Sequence, residues 1–207
     1  GVKTIASLFN VTRIYNTISA VSYMRRAFSL SEAYGKIREA FGKNIDQHIL
    51  YKKSLLDLEI AYESNSLIAF FLVQLLGKED CKTSTEREEA LLRLLTPISK
   101  LYSAKACIAS ASEHIEMFGG LGYLEDTNIP VLLRNAQVLS IWEGTTNVLS
   151  LDMLRAIEKE NGLVAYKEFA EEMIASISLP ELQEAKNILS NKLKSLYRFI
   201  GNISSKD

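Results

Sequence analysis

The segment Gln137–Ser150 reads QVLSIWEGTTNVLS and sets a carboxylate, Glu143, between a bulky aromatic, Trp142, and a glycine, Gly144. A carboxylate so placed is a candidate general base. Trp142 supplies an apolar neighbour, and Gly144 lets backbone approach a ligand closely. Thr145, Thr146 and Asn147 can cap the helix that follows or hydrogen-bond a cofactor. The ordinary alternative is an exposed loop carboxylate just ahead of a helix, and on local sequence alone that is the commoner arrangement.

Two further segments could handle an anionic ligand. In Arg38–His48, REAFGKNIDQH, the Arg38 guanidinium could bind pyrophosphate oxygens bidentately, and Phe41 could cover an aromatic ring. A helix C-cap explains the same residues, since Arg38 suits the negative helix end and Gly42 would terminate it; from spacing alone this is the more frequent case. In Met117–Tyr123, MFGGLGY, Gly119, Gly120 and Gly122 would let backbone amides face an anion. The spacing is not a dinucleotide fingerprint and no strand precedes it, so a glycine-rich turn between helices serves equally well. Metal-ligand spacing is absent. His48 and His114 lie far apart, and Glu113-His114 with Glu116 lacks the two-His pattern of a zinc protease. No Gly-x-Ser-x-Gly elbow supports a nucleophile, and Cys107 reads as core.

The elements that must position these groups read as helices. Of 207 residues 47% are apolar, with only 3 Pro and 10 Gly, which favours a mostly helical domain. Ile14, Ile18, Val21 and Phe28 recur at helical spacing, widened by Met24 and Leu30, in a run ending near Phe41-Gly42. A second helix fits Asp46–Leu76, with Ile49, Leu56, Ile60, Leu67 and Phe71 on one face and Gly77 as stop. A third starts near Ser84 or Thr85, with Glu88 placed for a capping box, and Pro97 predicts a kink or break within it before Gly119-Gly120 end it. Leu121–Asn128 reads as a loop, Pro130 opens a short helix to about Asn135, and another helix runs from Thr145–Asn147 to about Glu160. A helical hairpin of Leu163–Ile177 and Pro180–Ile200 completes the chain. The expected fold is all-α: an antiparallel helical bundle over residues 1–160 with an extra C-terminal helical hairpin over 161–207.

The net charge of -1 argues against nucleic acid and anionic membranes, and the tail's basic and acidic residues offset one another. No apolar run approaches the roughly 20 residues that span a bilayer. Leu67–Leu76 is the nearest, interrupted by Gln74. The 2 cysteines, Cys81 and Cys107, lie in unlike contexts, which fits a reducing compartment better than a disulfide scaffold.

REAFGK, MFGGLGY and SIWEGTTNV, in this order and separation, resemble the C-terminal helical domain of acyl-CoA dehydrogenases over about Gly1–Glu160. Thr12-Arg13, MRRAFSL at Met24–Leu30, RLLTPISK at Arg93–Lys100, Trp rather than Tyr before Glu143, and the helical tail are similar to the AidB-like branch. The resemblance implies an FAD-dependent flavoprotein that oxidises an acyl-CoA thioester between its α and β carbons. Glu143 would remove the α-proton, with Trp142 and Gly144 beside the substrate. Arg38 and Phe41 would meet FAD across a subunit interface with Gly119 and Gly120 nearby, while Thr145 and Asn147 would contact FAD held in the same subunit. Arg13 would sit beside the active site in a structural role. Glu116 departs from the Gln that many members carry near the nucleotide. Asn10 and Thr12 leave no acid at the alternative base position that some members use. A homodimer or homotetramer, an electron-accepting flavoprotein partner and a mitochondrial or cytoplasmic location follow from the same resemblance. So does a longer parent protein with an N-terminal helical domain and a middle β-domain, without which this part would fold but hold FAD weakly. The competing functions are a non-oxidising acyl-CoA sensor, a DNA-associated alkylation-response flavoprotein, and a module that mainly assembles a tetramer.

Overall fold

In the computed structural model, the described residues comprise the backbone of 2–204 and the side chains of 8–202. Three long helices form the frame: α1 (Val2–Ile37), α2 (Ile49–Asp80) and α3 (Glu86–Met117). After a short turn α4 (Gly120–Tyr123) come α5 (Ile129–Leu139), α6 (Thr146–Lys159), α7 (Gly162–Ala175) and α8 (Gln183–Ser204). α3 is the hub, packing against α1, α2, α5, α6 and α7. The expected all-α bundle is therefore the fold.

Small residues let the helices approach closely. One core cluster joins Ala20, Val21 and Met24 of α1 to Ala69 of α2, Ala104, Cys107 and Ala111 of α3, and Ala136 and Leu139 of α5. A second joins Ile14 to Leu72 and Leu75, Leu91 and Leu92, and Ala165 of α7. α7 thus shares a core with the long helices, and the Phe71–Phe169 stack, ring centroids 4.9 Å apart, adds to its seat. α8 packs on α7. At the start of α3 the expected capping box forms: Thr85 accepts from the Glu88 amide, and the Glu88 carboxylate accepts from the Thr85 amide.

Several boundaries differ from expectation. α1 stops at Ile37, because residues 39–44 form a tight hairpin, β1 (Glu39–Ala40) against β2 (Lys43–Asn44). Its two turn residues, Phe41 (φ 53°) and Gly42 (φ 83°), both adopt positive φ, as a turn with the twist of its strands requires. α2 continues through Gly77, and the left-handed stop falls at Lys82 (φ 56°). Pro97 does not break α3; it lies buried where the helix is packed on several sides, and that packing outweighs the missing hydrogen bond. The expected loop at Leu121–Asn128 is largely short turns, Gly120–Tyr123 and Glu125–Thr127. α5 extends to Leu139.

Of the α2 face expected from Ile49, Leu56, Ile60, Leu67 and Phe71, the first four point outward, Leu67 being 74% exposed, and Phe71 is half-buried against the second core cluster. The buried side carries Leu58, Asn65, Ala69, Leu72 and Leu75 instead. α2 is apolar on two sides, and neighbouring helices cover one. By length and composition alone this 32-residue helix is apolar enough to cross a membrane, contrary to the run-length reading. Here it packs against α1 and α3.

Candidate functional site

The turn between α5 and α6 is held from below by two buried cations. Glu143 (φ 56°) and Gly144 (φ 114°) both have left-handed backbone, a rare state for a glutamate. Arg13 Nε of α1 donates to the Glu143 carbonyl at 3.2 Å. Lys100 Nζ of α3 donates to the Gly144 carbonyl at 2.7 Å. A trans peptide sends its N–H opposite to its C=O, so the Gly144 and Thr145 amides point away from these cations. A Cβ on Gly144 would sit 3.2 Å from Leu149 Cδ2 as well as on unfavourable φ. Thr145 is the N-cap of α6 but makes no side-chain capping bond, which leaves the helix's first turn open to ligand oxygens. Thr145 and Asn147 are exposed, while Trp142 and Glu143 are half-buried, Trp142 with an unpartnered indole Nε1.

Behind the turn lies an ion-pair network joining three helices. The Asp152 carboxylate of α6 accepts from Arg13 Nη1 at 2.5 Å and from Arg93 Nη2 at 2.6 Å. Arg93 also pairs with Glu160 at 3.1 Å. Burial pushes the Asp152 carboxyl upward, but the Arg93 and Arg13 bonds outweigh it and hold the group below the usual range. Burial, followed by repulsion from Arg13, brings Lys100 down to about 8, against the attraction of Glu143. Sequence reasoning placed Arg13 beside the site but missed Lys100, Arg93 and Asp152. A legible signal existed for Lys100. It falls in the helical register of Leu92, Thr96, Ser103 and Cys107, all buried, so its ammonium had to be buried too.

A second cluster forms at the far end of α1. Arg38, Gly119, Gly120 and Glu116 line one open groove of about 870 Å³ between the ends of α1, α2 and α3. Arg38 caps α1 in the ordinary way, its amide donating to the Tyr34 carbonyl at 2.9 Å, yet its side chain is exposed on this groove. Phe41, at the hairpin tip, is 95% exposed and meets only the His48 edge among the described rings. A bulky aromatic held on left-handed backbone in the open is costly unless a partner covers it. The exposed guanidinium, glycine backbone and uncovered ring suit a nucleotide with a pyrophosphate and an aromatic base. Glu113 and Glu116 also line the groove and suit an anion poorly, being acids themselves.

The structure does not bring the two clusters together. Arg13 supports the Glu143 turn, and Arg38 follows the end of the same helix. The intervening 25 positions at 1.5 Å each separate them by about 37 Å. The candidate residues therefore fall at two separate places on one chain. Glu143, Trp142, Gly144, Thr145 and Asn147 lie at the α5–α6 turn, and Arg38, Gly119 and Gly120 lie on the groove, with Phe41 at the hairpin tip outside its lining.

This all-α bundle is the fold of the C-terminal domain of acyl-CoA dehydrogenases. The chain belongs to that family, whose C-terminal-domain model matches residues 1–158. It is 40% identical over 203 residues to acyl-CoA dehydrogenase family member 11 of Caenorhabditis elegans, covering 97% of this chain and 33% of that protein. The crystal structure of C. elegans ACDH-11 in complex with C11-CoA matches with a TM-score of 0.94 at 39% identity, covering 99% of this chain and 35% of that one. AidB of Escherichia coli (strain K12) is 32% identical over 164 residues, covering 79% of this chain and 29% of that protein. The chain thus spans about a third of the length of the curated relatives it matches.

Proposed function

We propose that this chain is the C-terminal part of an FAD-dependent acyl-CoA dehydrogenase, with Glu143 as the base that removes the α-proton of an acyl-CoA thioester. One observation carries the reading: a glutamate on left-handed backbone whose peptide planes are anchored by Arg13 and Lys100, with amides directed away from those anchors. A carboxylate fixed in this way can accept a proton without reorganising, and the outward amides can polarise the thioester oxygen as the α-carbon loses its proton. Trp142 and Gly144 would flank the substrate, the first excluding water and the second allowing close backbone approach. FAD, when bound, supplies the acceptor for the β-hydride. Thr145 and Asn147 would hold it from one subunit and Arg38 and Phe41, with Gly119 and Gly120, from another.

A shared cofactor needs an assembly. The outward face of α2, where Leu56, Ile60, Leu67 and Phe70 are all exposed, supports a homodimer or homotetramer. A reducing compartment, mitochondrial or cytoplasmic, suits the free thiols of exposed Cys81 and buried Cys107. An electron-accepting flavoprotein would reoxidise the cofactor.

The test uses the full-length protein and undecanoyl-CoA. Its flavin absorbance should bleach anaerobically on adding the thioester, and Glu143→Gln should abolish bleaching while the thioester still binds. Tight binding with no bleaching in the wild type would replace the dehydrogenase reading with a non-oxidising acyl-CoA sensor. Salt-dependent retention on DNA would favour the alkylation-response reading instead.

A further inference from the structure

Building on the reading of Glu143 as the base, we propose that Lys100 is the residue that positions it. Lys100 pins the turn through the Gly144 carbonyl and presents a positive charge to the Glu143 carboxylate from inside the bundle.

Lys100 is 0% exposed, in the middle of α3. An ammonium is costly to bury unless it is paired, and a methionine in this core register would fill similar space without that cost. Its recorded hydrogen bond goes to the Gly144 carbonyl, at 2.7 Å. Arg13 fixes the peptide on one side of Gly144 and Lys100 fixes the peptide on the other. Gly144 is the most conformationally free residue of the turn, so holding both planes is what sets the direction of the preceding glutamate. The charges around the ammonium are few. Arg13 from α1 repels it and Glu143 from the turn attracts it. Asp152 from α6 is occupied by Arg13 and Arg93. Glu143 is therefore the carboxylate that the Lys100 charge serves. Burial and Arg13 hold Lys100 near 8, so it remains mostly charged at neutral pH.

The test compares Lys100→Met, Lys100→Gln and Lys100→Arg in the full-length flavoprotein. Anaerobic bleaching by saturating undecanoyl-CoA is followed from pH 5.5 to 8.5. Lys100→Met loses donor and charge, and its rate should fall by about 10²-fold, the effect of misplacing a catalytic group by an ångström. Wild type should also lose rate as pH passes about 8, where Lys100 sheds its proton, and Lys100→Met should lack this alkaline limb. Lys100→Gln keeps a donor, so it should recover rate but still lack the limb, whereas Lys100→Arg should hold its rate to the top of the range. A merely structural lysine would leave no such limb in the wild type.

A second readout needs no turnover. The wild-type thermal midpoint should gain a rise between pH 8 and 10.5 that Lys100→Gln lacks, because the folded group sheds its proton before the unfolded one. If Lys100→Met and Lys100→Gln keep the wild-type rate and limb while Glu143→Gln abolishes bleaching, the Lys100 proposal is wrong and the base stands. Should Glu143→Gln itself bleach normally, the base reading fails and this one with it. Failure of all three lysine variants to fold would also overturn the proposal, in favour of a lysine that serves stability alone.

Discussion

Replacing Asp152 with asparagine tests whether the network behind the turn holds three helices together. The carboxylate bridges Arg13 of α1 and Arg93 of α3 from its place on α6, at 2.5 and 2.6 Å. The three side chains are 13%, 10% and 22% exposed, so water screens them only partly. Asparagine keeps the shape but leaves two guanidiniums facing each other. Among the described residues Arg93 retains Glu160, whereas Arg13 retains the Glu143 carbonyl. Breaking a fully buried pair costs about 3–5 kcal/mol; partial exposure and the surviving contacts bring this to roughly 2–4 kcal/mol. For a unit of this size that is a fall in Tm of roughly 5–15 °C. Calorimetry of the full-length protein reads it directly. The pH dependence is a second check. The folded Asp152 carboxyl lies below its ordinary value of 3.8, so its contribution is complete above that value and disappears as pH falls through the lower folded pKa. The asparagine variant should lose this part of the acid slope. A loss of less than about 0.5 kcal/mol, the level of an ordinary surface substitution, with an unchanged acid slope, would refute the network's role.

Two other perturbations separate packing from protonation. Gly122→Ala places a methyl 2.1 Å from the Ile115 carbonyl oxygen at the junction of α3 and α4, so backbone must shift beside the Arg38 groove. The variant should lose about 2–4 kcal/mol in urea unfolding and retain less flavin on gel filtration; wild-type values in both would show that the junction is slack. Burial holds His114 down to about 4, and its Nδ1 pairs with Ser31 Oγ at 2.7 Å. The folded state excludes a proton that the unfolded chain takes up below about 6.5, so stability should fall by on the order of 3 kcal/mol as pH drops from 6.5 through 4. His114→Asn should flatten that slope in the same unfolding assay, and a slope equal to wild type would assign it to other groups.

Where local chemistry decides, the sequence was legible. Thr85 and Glu88 are three residues apart, and a capping box requires nothing more distant. The stripe of Ile14, Val21 and Met24 is buried in α1 because residues at that spacing share one helix face. The family motifs were also readable, since each is a continuous segment. Other features depended on partners far along the chain. Phe41-Gly42 resembled a helix end, but strand pairing made it a hairpin turn. Pro97 is tolerated because other helices pack around it.

Composition and periodicity alone determined that this chain is a helical bundle with a glutamate turn ahead of a helix, because helix formation and turn chemistry act over a few residues. Tertiary structure decided which apolar side of α2 is covered, that Lys100 and Arg13 meet beneath Glu143, and that Arg38 lies a whole helix away from it. Burial and charge pairing depend on which neighbours arrive from elsewhere in the chain, and no local pattern encodes that choice.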